Sequence, residues 1–141
     1  MANLTITSDH AAEAVLPLYE AFARRDLPAG LACMADDIQW HEADGLPWGG
    51  LRVGPAAVAE GVFAPSLELI PDLAVTPEHV VTSGDTAIVQ HRYTGTVAAN
   101  GAKLDLAGVG IWDVRDGRIA HYWQFVDTVL FRAALGHRTT S

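Results

Sequence analysis

Three short turn signals, Ser83-Gly84-Asp85, Asn100-Gly101 and Asp116-Gly117, cut the second half of the chain into β-branched runs. Glycine beside Asn or Asp readily supplies the positive φ angles of a tight hairpin, so these signals predict successive antiparallel strands. The strands are predicted at roughly Leu73 to Thr82, Thr86 to Ala98, Ala102 to Val114 and Arg118 to Thr128. The last three form a meander joined by two tight hairpins.

The first half has a different period. From Ala11 to Arg25 the apolar residues Val15, Leu18, Tyr19 and Phe22 recur at helical spacing, with Ser8 or Asp9 as an N-cap. Pro17 inside that stretch removes a hydrogen bond at a cost of ~3 kcal/mol and predicts a kink or a late start. Asp26 before Leu27-Pro28 predicts a second helix, with proline in the first turn, and Leu31 and Met34 face the core. Ile38 to Glu42 alternates, so a strand there places Ile38, Trp40 and Glu42 on one face and Gln39 and His41 on the other. Asp44 to Gly54 reads as a loop, and Gly54-Pro55 opens a third helix through Val58, Val62 and Phe63, with Pro65 near its end.

Helices followed by strands define an α+β domain. A sheet of long strands must curl around three N-terminal helices to bury both apolar surfaces, giving a cone-shaped, curved antiparallel β-sheet with a mouth. Whatever the helices leave unfilled is a pocket, the usual setting of a small-molecule site. No repeat or linker divides the sequence, so one domain over residues 1–141 is expected.

Composition narrows the partners. Half the residues are hydrophobic, enough for a substantial core, and a net charge of −8 disfavours nucleic acid and anionic membrane surfaces. A small hydrophobic molecule is the expected ligand, with no cofactor. No run approaches the ~20 apolar residues of a membrane span, and Met1 to His10 lacks the pattern of a signal peptide. Cys33 stands alone, which rules out an intrachain disulfide and fits a reducing cytoplasm. None of the six histidines forms a ligand spacing with another, so no metal site is expected.

Two helices followed by Ala35-Asp36-Asp37-Ile38-Gln39-Trp40-His41-Glu42, then a Gly-Gly loop, Gly54-Pro55 and long strands, resemble the nuclear transport factor two-like superfamily. Within the sheet the likeness lies at Tyr93-Thr94-Gly95-Thr96 and Asp116-Gly117-Arg118-Ile119. At the end it lies at His121-Tyr122-Trp123, Asp127 and Leu135-Gly136. The match is to the SnoaL-like branch, which includes polyketide cyclases and relatives of ketosteroid isomerase, and it runs from roughly Ala11 to Gly136. The resemblance implies a homodimer formed through the sheet. It places Asp127 where the cyclases carry their general base and Glu42 where the isomerases carry theirs. Gly110 falls where the isomerases have the acid of their oxyanion hole, and Tyr19 lies one position out of register with the tyrosine partner.

Proton abstraction beside a carbonyl needs a base whose pKa is lifted toward neutrality, which burial among apolar groups achieves. Asp127 and Glu42 are the candidate bases, and Tyr19 is the candidate donor to a developing oxyanion. Glu42 has an alternative role as an exposed strand-end carboxylate or a partner of Arg52 or Arg92. Asp127 has one as a cap after the last strand, and Tyr19 as the end of an apolar stripe. Trp40, Trp48, Trp112 and Trp123 offer flat walls and indole donors, with core packing the simpler role for Trp112 and Trp123. His41, His91 and His121 are possible proton carriers. Gln90 and Arg92 share one strand face and bind a ligand only if that face is concave.

A cofactor-independent cyclase or isomerase acting on a hydrophobic substrate is the first functional expectation. A non-catalytic ligand-binding domain and an assembly module that dimerises through its sheet are the rivals.

Overall fold

The computed structural model describes residues 10–136. Their order is α1 (His10–Ala23), α2 (Leu27–Ala32), β1 (Met34–Glu42), β2 (Gly50–Val53), α3 (Pro55–Val58), a π-helical turn (Ala59–Phe63), α4 (Ala64–Leu69), β3 (Ala74–Ser83), β4 (Thr86–Thr96), β5 (Lys103–Arg115), β6 (Arg118–Val126) and α5 (Thr128–Ala134). The six strands form one curved, unclosed sheet in the order β2-β1-β6-β5-β4-β3. The predicted hairpins join β3 to β4, β4 to β5 and β5 to β6. The sheet is not wholly antiparallel, because β1 lies parallel to β6. Two strands so distant in sequence need no hairpin between them.

Helix α1 buries Ala11, Ala12, Val15, Leu18 and Tyr19 as its apolar spacing requires. Pro17 does not end it, because it sits on the exposed side, where water can serve the carbonyl its missing N–H would have met. The proposed caps Ser8 and Asp9 lie outside the described residues. Asp26 caps α2 by accepting from the Ala29 N–H at 3.1 Å.

Pro65 does not stop the third helical stretch either, which runs through it to Leu69. Arg52 Nη2 donates to the Gly61 carbonyl in the turn before it at 3.4 Å. The wider π turn just before Pro65 eases the ring's approach to the preceding turn and aims Val62 and Phe63 inward.

Two further elements depart from the sequence reading. The segment read as a loop from Asp44 to Gly54 contains β2, a four-residue strand paired with β1. The last strand ends at Val126 rather than Thr128, and the chain turns into α5, which buries Phe131. Period-two burial is clean on β4, where Ala87, Val89, His91 and Tyr93 point inward between outward residues. On β6 the inward pair is Tyr122 and Gln124, and Trp123 faces out.

Candidate functional site

Between the concave sheet face, α1 and the π turn lies a cavity with an open mouth. Its walls are mostly aromatic: Trp40 and Trp112 pack edge-to-face at 5.5 Å, and Tyr122 stacks on Trp112 at 4.0 Å. Phe63 meets Trp40, and Phe131 of α5 meets Trp48 and Tyr93. Two glycines make room for this packing on β5. A methyl group at Gly110 would lie 2.7 Å from Tyr122 and 2.8 Å from Trp112, and one at Gly108 would lie 2.7 Å from Tyr93. Gly110 therefore has no space for an acidic side chain, and the aromatic rings occupy the volume that one would need.

Glu42 is the carboxylate of this cavity. The alternation of β1 turns it inward beside Trp40, and it is only 7% exposed. Oε1 accepts from the Trp40 indole at 2.8 Å and Oε2 from the Trp48 indole at 2.9 Å. Burial pushes its pKa up to about 7, against the opposing pull of those two donors, the Gln124 amide and the nearby Arg52. Arg52 itself donates to the carbonyls of Gly49, Trp48 and Gly61, so it fixes the loop that carries Trp48. The carboxylate offers about four lone-pair sites to these donors, which leaves Glu42 able to take up a proton.

A second polar string crosses the cavity wall. Trp112 Nε1 donates to the Tyr19 hydroxyl at 3.1 Å, and that hydroxyl is 2.7 Å from His91 Nδ1. His91 Nε2 is 2.9 Å from the Tyr93 hydroxyl, to which Gln124 Nε2 donates at 2.8 Å. Gln124 Oε1 accepts from the Ala43 N–H at 2.8 Å, which fixes the orientation of its amide. Burial lowers the His91 pKa to about 4, so its ring is neutral, and burial raises the Tyr19 and Tyr93 pKa values, so both phenols keep their protons.

The cavity gathers Glu42, Tyr19, Trp40, Trp48 and Trp112 from the residues singled out in the sequence. It does not gather four others. Asp127 is exposed and caps α5, its Oδ1 accepting from the Leu130 N–H at 3.0 Å, so the alternative reading of this residue is the one that fits. The pocket placement fails because the strand ends one residue before Asp127. Trp123 stacks between His41 and His121 on the outer face. Gln90 is exposed on that outer side, and Arg92 pairs there with Glu78 at 3.3 Å and Asp105 at 2.7 Å.

Among the cavity residues, Tyr93, Tyr122 and Gln124 were not singled out for the site, and His91 was considered only as a proton carrier. Their signal was the alternation of β4 and β6: His91 and Tyr93 share a face with Val89, and Tyr122 and Gln124 follow buried Ala120 at period two. Among the described residues no cluster of His, Cys, Asp and Glu could hold a metal ion, and no helix is long and apolar enough to cross a membrane.

An α+β domain of this kind, with a curved sheet closed over helices around an aromatic pocket, has the nuclear transport factor two-like fold. The SnoaL-like domain matches residues 15–122, and the chain belongs to that family. No curated protein matches the sequence. Among solved structures, TerC co-crystallised with polyporic acid is 25% identical, with a TM-score of 0.84 over 91% of this chain and 99% of that one. A nuclear transport factor two-like protein from Burkholderia thailandensis is 29% identical, with a TM-score of 0.85 over 91% of this chain and 98% of that one. IdmH from Streptomyces antibioticus, a candidate polyketide cyclase, is 26% identical, with a TM-score of 0.76 over 91% of this chain and 99% of that one.

Proposed function

We propose that the protein is a cofactor-independent enzyme that removes a proton next to a carbonyl of a small, predominantly apolar substrate, as cyclases and isomerases do. Glu42 is the base and Tyr19 donates a hydrogen bond to the oxygen on which charge develops. The observation that carries this reading is the Glu42 carboxylate, sunk in an aromatic cavity, with a pKa pushed up to about 7. A base with that pKa is half ionised near neutrality and still strong enough to take an acidic α-proton. Loss of the proton places the electron pair on the carbonyl oxygen, where a phenol kept protonated by burial can stabilise it. Relatives that were crystallised with polyporic acid or are candidates for polyketide cyclisation support this class of ligand.

A second reading, ligand binding without turnover, is favoured by Gly110, which leaves the oxyanion side without a carboxylic acid. One assay separates the two. The exchange of α-protons of 2-tetralone, a bicyclic ketone, is followed by NMR in deuterated buffer with and without protein. Because the ionised carboxylate is the base, the protein-dependent rate should climb with pH and level off above about 7. No acceleration supports binding alone, and acceleration that is flat across this range removes Glu42 as the base.

We also propose that two copies associate through the outer sheet face. One register row there runs across all six strands as Leu51, His41, Trp123, Ile111, Ile88 and Val81, an almost continuous apolar band.

A further inference from the structure

Trp40 and Trp48 both donate to Glu42, but they are anchored differently. Trp40 belongs to β1, whose backbone is paired with β2 on one side and β6 on the other. Trp48 lies in the loop before β2, next to Gly49 and Gly50, where a turn bond from the Gly49 N–H to the Leu46 carbonyl at 2.9 Å and the ring contact with Phe131 are its local supports. Arg52 adds a third. It is the register partner of Trp40, so its side chain leaves β2 on the same, inner side of the sheet. There Nη1 donates to the Gly49 carbonyl at 3.2 Å, and Nη2 donates to the Trp48 and Gly61 carbonyls at 3.5 and 3.4 Å. These oxygens belong to two separate segments, the Trp48 loop and the π turn. Among the described residues no carboxylate lies within ion-pair distance of the guanidinium. A planar fork of five N–H donors can serve both segments at once, which a lysine ammonium cannot. The fit is close: a methyl group on Gly61 would lie 2.2 Å from Arg52 Nε and 2.8 Å from its Cδ, so glycine at this place is what admits the guanidinium.

We propose that Arg52 is a positioning residue for Glu42: by tying the Trp48 loop to the π turn at Gly61, it keeps the Trp48 indole N–H on Glu42 Oε2. This deepens the reading under Proposed function and rests on it for the role of Glu42 as the base. Arg52 does not line the cavity, so it acts through Trp48 and not on a ligand. Without the tie, the glycine-flanked loop would let the indole leave. Oε2 would then lose a donor that favours its ionised form, and the carboxylate would be held at one oxygen only.

Gly61→Ala in the full-length protein tests this while leaving Arg52 and its charge in the chain. Alanine suits a helix interior better than glycine, so the fold should hold, whereas the added methyl group must displace the guanidinium. Solvent exchange of the Trp48 indole N–H, followed by NMR, should quicken about tenfold, the upper value of one net hydrogen bond, with that of Trp40 unchanged. The midpoint of the Glu42 carboxyl titration should move up from about 7. Arg52→Lys, which keeps the charge and loses the fork, should give the same two results. Native exchange at Trp48 or an unmoved Glu42 midpoint in either variant overturns the proposal. Equal quickening at Trp40 and Trp48 overturns it too, because Arg52 would then only stabilise the fold. None of these readouts depends on turnover. If the native protein does not exchange the α-protons of 2-tetralone while Trp48 and Glu42 respond as expected, the functional reading falls and the hold of Arg52 on the carboxylate stands.

Discussion

Glu42→Gln is expected to lower the protein-dependent exchange of 2-tetralone α-protons by about 10²–10⁴-fold, the usual contribution of a positioned general base. Glutamine keeps the shape of the side chain and offers an oxygen to one of the two indoles, so the aromatic walls retain their packing and the ketone should still bind. What it loses is the basic lone pair. Trp40 and Trp48 hold the carboxylate from both oxygens, so no neighbouring group can move into its place. Asp127→Asn, by contrast, should leave exchange unchanged, because Asp127 caps α5 in solvent. Exchange that survives Glu42→Gln, or that disappears with Asp127→Asn, would relocate the base.

The second large effect is on stability, where two buried groups pull in opposite directions. Glu42 is shifted from 4.5 up to about 7 in the folded protein, so between those values the folded state holds a proton that the unfolded chain has lost. Its contribution is therefore fully present below pH 4.5 and is lost as pH rises toward 7. His91 is shifted from 6.5 down to about 4, so in that window the unfolded chain binds a proton that the folded state refuses. Its contribution is present above pH 6.5 and is lost as pH falls toward 4. Each amounts to about 3 kcal/mol, and across the shared window the two slopes nearly cancel.

Removing either group should expose the other. Relative to the native protein, Glu42→Gln should gain about 3 kcal/mol as pH rises from 4.5 to 7. His91→Gln should gain a similar amount as pH falls from 6.5 to 4. Urea titrations at matched pH values measure both differences, and exposed titrating groups common to all three proteins drop out of them. Stability curves for the variants that run parallel to the native curve would mean that neither group is desolvated as described.

Much of this fold was legible because its signals are local. Turn dipeptides set the hairpins, and a helical stripe set α1. The period-two pattern of Ile38, Trp40 and Glu42 put the carboxylate on one face with apolar neighbours, with an exposed strand end as its alternative. What stayed hidden depended on partners far away in sequence. β2 has only four residues beside glycine-rich chain, too short for a period to show, and becomes a strand by pairing with β1. Pro65 leaves the end of its helix open in the sequence, and in the fold the helix runs through it to Leu69. Asp127 looked like a base because its place in the sequence matched one, whereas the turn into α5 at Thr128 carries it into solvent. The inward face of β4 could be read only once one side of the meander was known to meet helices, which is why His91 and Tyr93 were not joined to Tyr19.

A chemically active carboxylate needs a nonpolar enclosure, and this protein supplies one from tryptophan, tyrosine and phenylalanine rings around Glu42. The most direct check is a pH titration of the Glu42 side-chain carboxyl carbon by ¹³C NMR, assigned by its disappearance in Glu42→Gln. A midpoint near 7 is expected. A midpoint at the ordinary glutamate value of 4.5 would show a solvated carboxylate and contradict the proposed chemistry.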